Sequence, residues 1–514
     1  MKLRIGILGS PSPGWERLLE QEGVWYEYVK GDGDFDFSTV VAAKPFNAQN
    51  LSVLKSYLKQ GGVVLCSGEC YSLLTQKPST RKRVQYLVPE SGSPWTGMGM
   101  LDLDMECNIP HGARHLRADD GTHALFAGEF GGGYVIALPF DAGDVALDSR
   151  VRTKSFYAKR ARLPFERVPS ISKGALRKLV LRSLKLLHEH RGVPYVHKNY
   201  YPDSASSAFL FRIDTDYANE ESIKRLHNVS AKHKVPATWF LDVKSQQGFL
   251  ELFKGFGGNE IGIHCYEHET WPDEARNKEN IAKANALLEK AGMAAKGFAA
   301  PYGKWNDRLA EALRSFDFEY SSEFSYDYDN LPSYPIMGGK AHSVLQVPIH
   351  PISVGGLKRQ GFSTAEMIEY FDFVLAQKAA AGDPMFFYHH PNDGNEPVIE
   401  YIFEKMSELN IPAMTMLDYA RWWKKRSAVH FSAEYSNGKI AVSSSDAPVD
   451  ISLAVSNPKG KRAFLPVNGS FNDAGVEWKD GPPPLPLPAD IGRTAQFNPW
   501  IPLIRTEDFL HRLF

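Results

Sequence analysis

Two hydrophobic periods take turns along this chain. LRIGILG (Leu3–Gly9) is a short apolar run that reads as a buried strand. Asn47–Lys59 repeats its apolar residues at helical spacing until Gly61 and Gly62 stop it, and VVLC (Val63–Cys66) is a second buried strand. EFGGGYVIALPFD (Glu129–Asp141) is a glycine hairpin leading into a third. Strands alternating with a helix predict a flavodoxin-like α/β sandwich with a parallel sheet over residues 1–150. GALRKLVLRSLKLLHEHRG (Gly174–Gly192) has helical spacing and a glycine stop, so residues 151–204 read as a helical connector.

From Ala208 to about Arg426 the pattern is strand, loop, helix, repeated. KVPATWFLDV, FEYSSEF and LQVPI are strands; KENIAKANALLEKAG and TAEMIEYFDFVLAQKAAAG are helices. Several βα units over residues 205–426 predict a barrel-like sheet. After WWKKR the period becomes two, in AVHFSAEY, GKIAVSSS and VDISLAVS, which predicts a small β domain over residues 427–514. GPPPLPLPAD (Gly481–Asp490) is expected to be extended.

Composition narrows the function classes. A 514-residue chain that is 43% apolar and 12% aromatic supports several well-cored domains. A formal net charge of -1 gives no support for nucleic acid or an anionic membrane as main partner. Four cysteines (Cys66, Cys70, Cys107, Cys265) do not make a disulfide framework. MKLRIGILGSPSPGW lacks the long apolar core of a secretory signal, and no transmembrane run occurs, so a cytoplasmic protein is expected. A homo-oligomer is compatible with this composition.

One stretch carries candidate chemistry more densely than the rest. FRIDTD (Phe211–Asp216) is an apolar strand that acquires charge at its end, and Arg212, Asp214 and Asp216 share one face. In a barrel, that strand end lies where active sites are built. Taken alone, the stretch reads as a solvated strand end. His264 and His268 follow in EIGIHCYEH, four apart, which on a helical turn puts both imidazoles on one face within reach of one ion. With 16 histidines the spacing recurs by chance: His111 and His115 have it too, with Asp102 and Asp104 upstream. That second set lacks any downstream element to complete the chemistry. APYG (Ala300–Gly303) is a tight turn that can aim the Tyr302 amide at an oxyanion. FFYHHP (Phe386–Pro391) ends a buried strand in His389 and His390, which point opposite ways.

In that order, Asp-x-Asp, ATWFL, EIGIHxxxH, FxAPYG, FEYSS and a strand ending in His-Pro, residues 205–425 resemble the polysaccharide deacetylase (NodB-homology) family. The resemblance implies an irregular (β/α) barrel that removes an acyl group from a sugar with one divalent metal ion. It implies Asp214 as general base and Asp216, His264 and His268 as metal ligands. It implies the Tyr302 amide as oxyanion donor and His390 as general acid, with His389 as the alternative. Pro301, Trp305 and His389 are expected to contact the carbohydrate. Zinc is the expected ion, and cobalt, nickel, manganese or iron suit the same ligands.

The chain departs from the family in two places. Thr215 separates aspartates that are usually adjacent, and Ala299 stands where an arginine usually pairs with the base. Arg212, on the same strand face as Asp214, is the candidate replacement. Asp327 and Asp329 are the candidates for orienting the acid histidine. Two other readings stay open: a deformylase of an amino sugar, and a non-catalytic carbohydrate-binding or scaffold protein on a degenerate barrel. GGVVLCSGE and GGGYVIALPFD resemble class I glutamine-amidotransferase-like domains, but Val64 replaces the first glycine of the cysteine elbow. Cys66 therefore reads as a buried strand cysteine, and the first domain as non-catalytic.

Overall fold

The computed structural model describes residues 1–31 and 35–502. The chain forms two compact units. One comprises Met1–Asp148, Ser170–Ser204 and Trp423–Leu487; the other comprises Ser149–Pro169, Ala205–Trp422 and the chain from Pro488. These boundaries differ from the expected cuts at 150, 204 and 426, and the packing says why.

The first unit is built on a nine-stranded sheet. Strands β1 (Ile5–Leu8), β2 (Tyr26–Tyr28), β3 (Thr39–Ala42), β4 (Val63–Ser67) and β9 (Gly133–Leu138) run parallel in the order β2-β1-β3-β4-β9. The parallel part of the sheet stops there. β5 (Thr80–Val88), β6 (Leu101–Ile109), β7 (His115–Ala118) and β8 (His123–Phe130) extend it antiparallel. Gly131 and Gly132, at φ 65° and 97°, turn β8 directly back into β9, and so short a turn can only make an antiparallel pair. Exposure follows the pairing. β1, β3 and β4 are buried along their whole length, whereas β6 alternates.

The helix Lys173–His190 is no connector: Leu176, Leu179, Leu184 and Leu187 share one core with Ile5, Ile7, Val41 and Leu65. On the other face, Leu54 and Leu58 of the helix Ala48–Lys59 meet Leu8, Val40 and Val64. Nor do the period-two strands form a domain of their own. β12 (Tyr195–Lys198), β25 (Ser452–Ser456) and β26 (Arg462–Pro466) make one small sheet; β23 (Phe431–Ser436), β24 (Lys439–Ser444) and β27 (Gly469–Asn472) make another. The Leu3 amide also donates to the Ala433 carbonyl. Gly481–Pro488 has no regular structure, as its prolines predict.

The second unit curls a parallel sheet around its own interior. β13 (Phe209–Asp214), β14 (Ala237–Asp242), β15 (Glu260–Cys265), β16 (Gly297–Phe298), β17 (Tyr320–Ser321), β20 (Leu345–Gln346), β21 (Met385–His389) and β22 (Ala413–Met414) are its strands, in the order β20-β17-β16-β15-β14-β13-β21 with β22 also on β13. Two small hairpins, β10 (Val151–Ser155) with β11 (Phe165–Pro169) and β18 (Ile336–Met337) with β19 (Lys340–Ala341), lie off it. The ladder does not close between β20 and β21. The His350 amide donates to the Phe386 carbonyl, and the Tyr388 hydroxyl to the Pro351 carbonyl, linking the segment after β20 to β21. The sheet is an open, curled (β/α) half-barrel.

Phe209, Phe211 and Ile213 of β13 face the surrounding helices, where Phe211 packs edge-on to Phe403 at 4.9 Å. Arg212 and Asp214 alternate with them and turn inward. The register places Arg212 beside Thr238 and Tyr388, and Asp214 beside Phe240. Glycine makes room for the aromatic filling: a Cβ on Gly262 would lie 2.6 Å from the Phe240 ring. Gly262→Ala is therefore expected to cost about 1–3 kcal/mol by overpacking, read as a lower urea-unfolding midpoint. An unchanged midpoint would show that Phe240 has room to move.

Candidate active site

The inward face of β13 ends in a buried ion pair. The Arg212 guanidinium donates from Nε to Asp214 Oδ1 and from Nη2 to Asp214 Oδ2, both at 2.7 Å. Its Nη1 donates to the Ser322 carbonyl and to Ser322 Oγ, at 2.5 and 3.1 Å. Arg212 is 0% exposed and Asp214 3%. Burial works against the guanidinium charge, but Asp214 outweighs it and raises the Arg212 pKa. Each Asp214 oxygen keeps a further lone pair beyond its bond to the arginine. The cation paired with Asp214 thus comes from two residues before the carboxylate itself.

Asp216, His264 and His268 converge just beyond. Asp216 Oδ1 lies 3.0 Å from His264 Nε2 and 3.2 Å from His268 Nε2, and the two Nε2 atoms are 3.1 Å apart. The expected helical turn is absent. His264 sits in strand β15 and His268 in the loop after it, which bends back to bring the second ring alongside the first. His264 Nδ1 pairs with the Ala299 carbonyl at 2.7 Å, which leaves Nε2 as a free lone pair facing the triangle.

These residues fit a metal ion. Donor atoms about 2.0–2.1 Å from one tetrahedral zinc ion are themselves about 3.3 Å apart. Asp216 Oδ1 is a buried oxygen with no hydrogen-bond donor aimed at it, the state of an atom meant for a cation. Among the described residues this is the one group of three or more His, Cys, Asp or Glu side chains so placed. The alternative set falls away: Asp104 pairs with Arg83, Asp102 with Ser172, and His115 packs on Trp95. Burial raises the Asp216 pKa, but His264 and His390 more than reverse it and hold the carboxyl well below its ordinary value. Burial likewise opposes charge on His264, yet Asp216 and Asp214 leave its pKa raised.

His390 faces the same space from the end of β21. Its Nε2 is 3.6 Å from Asp216 Oδ2, and its Nδ1 is 2.9 Å from Asp393 Oδ2. Burial disfavours its charge, but Asp216 and Asp393 push the pKa up to about 9. Asp393, not Asp327 or Asp329, orients this imidazole. Asp327 accepts from the Tyr328 amide and from Asn330, and Asp329 binds His350 and Lys378. The signal was present in HPND: a proline directly after the histidine starts a tight turn, which brings the carboxylate three residues on back to the ring. His389 belongs to the opposite strand face. It is 1% exposed, and burial pushes its pKa down to about 4. It is not placed to meet a substrate.

The turn Pro301–Gly303 forms the remaining wall. Its entry is pinned by the Ala300 amide donating to Glu323 Oε1 at 3.1 Å. Burial pushes Glu323 up to about 7, against Gln346 and Arg212. Gly303, at φ 57°, packs where a Cβ would collide with the Phe324 ring. Tyr302 projects outward, its ring 4.8 Å from His268. Pro301 is buried under the turn and has no surface for a substrate, whereas Trp305 is partly exposed against Tyr326.

Residues 207–321 match the family model for polysaccharide deacetylase. A peptidoglycan deacetylase of Helicobacter pylori (strain ATCC 700392 / 26695) is 31% identical over 127 residues, which are 24% of this chain and 43% of that protein. The chain thus spans less than half the length of that relative. Among solved structures, a putative polysaccharide deacetylase from Mycobacterium smegmatis aligns with a TM-score of 0.39 and 19% identity, covering 45% of this chain and 94% of that one. A CE4 family pseudoenzyme from Bacillus Anthracis aligns with a TM-score of 0.32 and 17% identity, covering 43% and 68%.

A raised His264 pKa means that an ion must displace a proton to bind. Divalent-metal affinity is expected to rise with pH through the His264 titration, with proton release seen by calorimetry in buffers of different ionisation enthalpy. His264→Ala should lose stoichiometric metal. A full complement in that variant, or a pH-independent affinity, would contradict the ligand assignment.

Proposed function

We propose that the half-barrel is a metal-dependent hydrolase that removes an acetyl group from the nitrogen of an amino sugar in a polysaccharide or its precursor. The carrying observation is the bidentate Arg212–Asp214 pair set beside the convergent Asp216, His264 and His268. Removal of a formyl group would use the same machinery with a smaller acyl. A degenerate, non-catalytic barrel is favoured by Ala299 alone, and the Arg212 pair weighs against it.

Asp216, His264 and His268 would hold the ion. When bound, a divalent ion such as zinc supplies Lewis acidity to a water and to the acyl carbonyl. Asp214 takes the proton of the attacking water, its carboxylate fixed in direction by Arg212. The Tyr302 amide donates to the oxyanion that forms at the former carbonyl. Such a donor is worth roughly 3 kcal/mol. His390, charged at neutral pH and steered by Asp393, gives its proton to the departing amine. The C–N bond breaks, acetate leaves and the free amine remains on the sugar.

The first domain is taken as amidotransferase-like in ancestry and without chemistry. The Cys70 thiol beside Cys66, together with burial, pushes the Cys66 pKa well above its ordinary value, so the nucleophilic thiolate is disfavoured there. Cys66, Cys70, Cys107 and Cys265 are free and buried, which suits a reducing compartment such as the cytoplasm. No helix among the described residues is long and apolar enough to cross a membrane.

The direct test is acetate release from N-acetylated oligosaccharides by metal-loaded protein. Asp214→Asn should retain metal and lose about 10²–10⁴-fold in kcat. Loss of metal in that variant would exchange the roles of the two aspartates. Because the acid works protonated, activity should fall as pH rises through the His390 pKa, which a cation bound at Asp216 sets below its metal-free position. Asp393→Asn removes a charge that holds this pKa up, so the basic limb of the kcat profile should move down toward about 6.5. An unmoved limb would remove Asp393 from this role.

A further inference from the structure

The two working aspartates are held in different ways. Asp214 is gripped through both oxygens by Arg212, whereas the Asp216 carboxylate meets imidazoles: Oδ1 lies 3.0 and 3.2 Å from His264 and His268, and Oδ2 3.6 Å from His390. Among the described residues no hydrogen-bond donor is aimed at Oδ1. The direction of this carboxylate therefore has to come from the backbone that carries it. That backbone is a β-turn, in which the Ala218 amide donates to the Thr215 carbonyl at 2.6 Å with Asp216 and Tyr217 as the central residues.

The turn hangs on Thr215. The Thr215 amide donates to the Phe240 carbonyl at 3.0 Å, and the Asp242 amide donates to Thr215 Oγ1 at 2.9 Å. Gln246, at the end of the short helix Val243–Gln246, grips the same residue twice. Its Oε1 accepts from the Thr215 hydroxyl at 2.7 Å, and its Nε2 donates to the Thr215 carbonyl at 3.2 Å. Both residues are 0% exposed, so solvent does not compete for either bond. Thr215 has a substitute for each of them: its hydroxyl also lies 3.1 Å from the Phe240 carbonyl, and its carbonyl keeps the Ala218 amide. Loss of Gln246 would orphan no polar atom of Thr215. What Gln246 adds is a fixed direction for the residue that precedes the ligand.

Resting on the metal-dependent reading above, we infer that Thr215 and Gln246 form a positioning clip for Asp216. The residue that separates the two aspartates is the handle by which Gln246 sets the second of them for an ion, as Arg212 sets the first. Thr215 and Gln246 are positioning residues: both are buried and act only through the turn that carries Asp216.

The test titrates zinc alone into the metal-free full chain, read by competition with a chromophoric chelator. Gln246→Met fills the same space without either hydrogen bond. It should raise the zinc Kd about 10–100-fold and lower the thermal midpoint of the metal-free chain by no more than about 4 °C. Thr215→Val should weaken zinc by a similar factor, and Thr215→Ser, which keeps the hydroxyl, should bind as wild type. With zinc saturating, Gln246→Met should release acetate with kcat within about threefold of wild type and an unchanged KM. Zinc bound as tightly by Gln246→Met as by wild type would overturn the clip. So would a Thr215→Ser variant as weak as Thr215→Val, or a loss of kcat that saturating zinc does not restore. Should Gln246→Met fail to fold, Thr215→Ser and Thr215→Val decide by the same comparison. Wild type that takes up zinc but releases no acetate would defeat the hydrolase reading and leave the affinities to decide the clip. Wild type that takes up no zinc would overturn the clip together with the ligand assignment.

Discussion

A guanidinium with no exposed surface has to be neutralised where it stands. Arg212 points into the curl of the half-barrel because alternate residues of a strand share a face, and its neighbours on that face are inside too. Asp214, two residues on, supplies the nearest carboxylate on that face, and Ser322 takes the remaining donor. Removing one partner of such a buried pair typically costs about 3–5 kcal/mol. The pair therefore fixes the direction of Asp214 as firmly as it holds its own charge. Through Ser322 it also ties β13 to the segment after β17, across the inside of the sheet.

Two groups at the centre of the site hold their charge through each other. Asp216 keeps its charge beside His264 and His390, and Asp393 keeps His390 protonated. The turn at Tyr302 is held from below by Glu323. Ala299, which cannot donate an ion pair, contributes its carbonyl and sets the tautomer of His264. A residue that looks like a loss in the sequence thus keeps a structural duty through its backbone.

Parity made β13 legible, since Arg212 and Asp214 can be placed on one side without coordinates, whereas Asp216 lies in the turn after the strand and not on its face. The same reasoning set His389 and His390 on opposite sides but left open which of them faces the site. Spacing alone did less well. Four residues between histidines suggested a helical turn, yet a strand end and a loop deliver the same convergence, because a loop can fold back as tightly as a helix advances. Asp393 reaches His390 through a proline-led turn that hydrophobic periodicity does not report. The domain boundaries were illegible for another reason. The apolar stripe of Lys173–His190 shows that it packs, but not against what, and nothing in Tyr195–Lys198 announces a partner near Leu453.

That last pairing has a consequence for how the chain is made. β12 at Tyr195–Lys198 pairs with β25 at Ser452–Ser456, and the Leu3 amide with the Ala433 carbonyl. A ribosome adding roughly 5–20 residues per second needs tens of seconds to emit the intervening stretch. The strands of the half-barrel from Phe209 to Met414 emerge in one uninterrupted run during that wait. The unit that begins first thus stays incomplete until Trp423–Leu487 has emerged, and β12 lacks its partner strand for the whole of that interval.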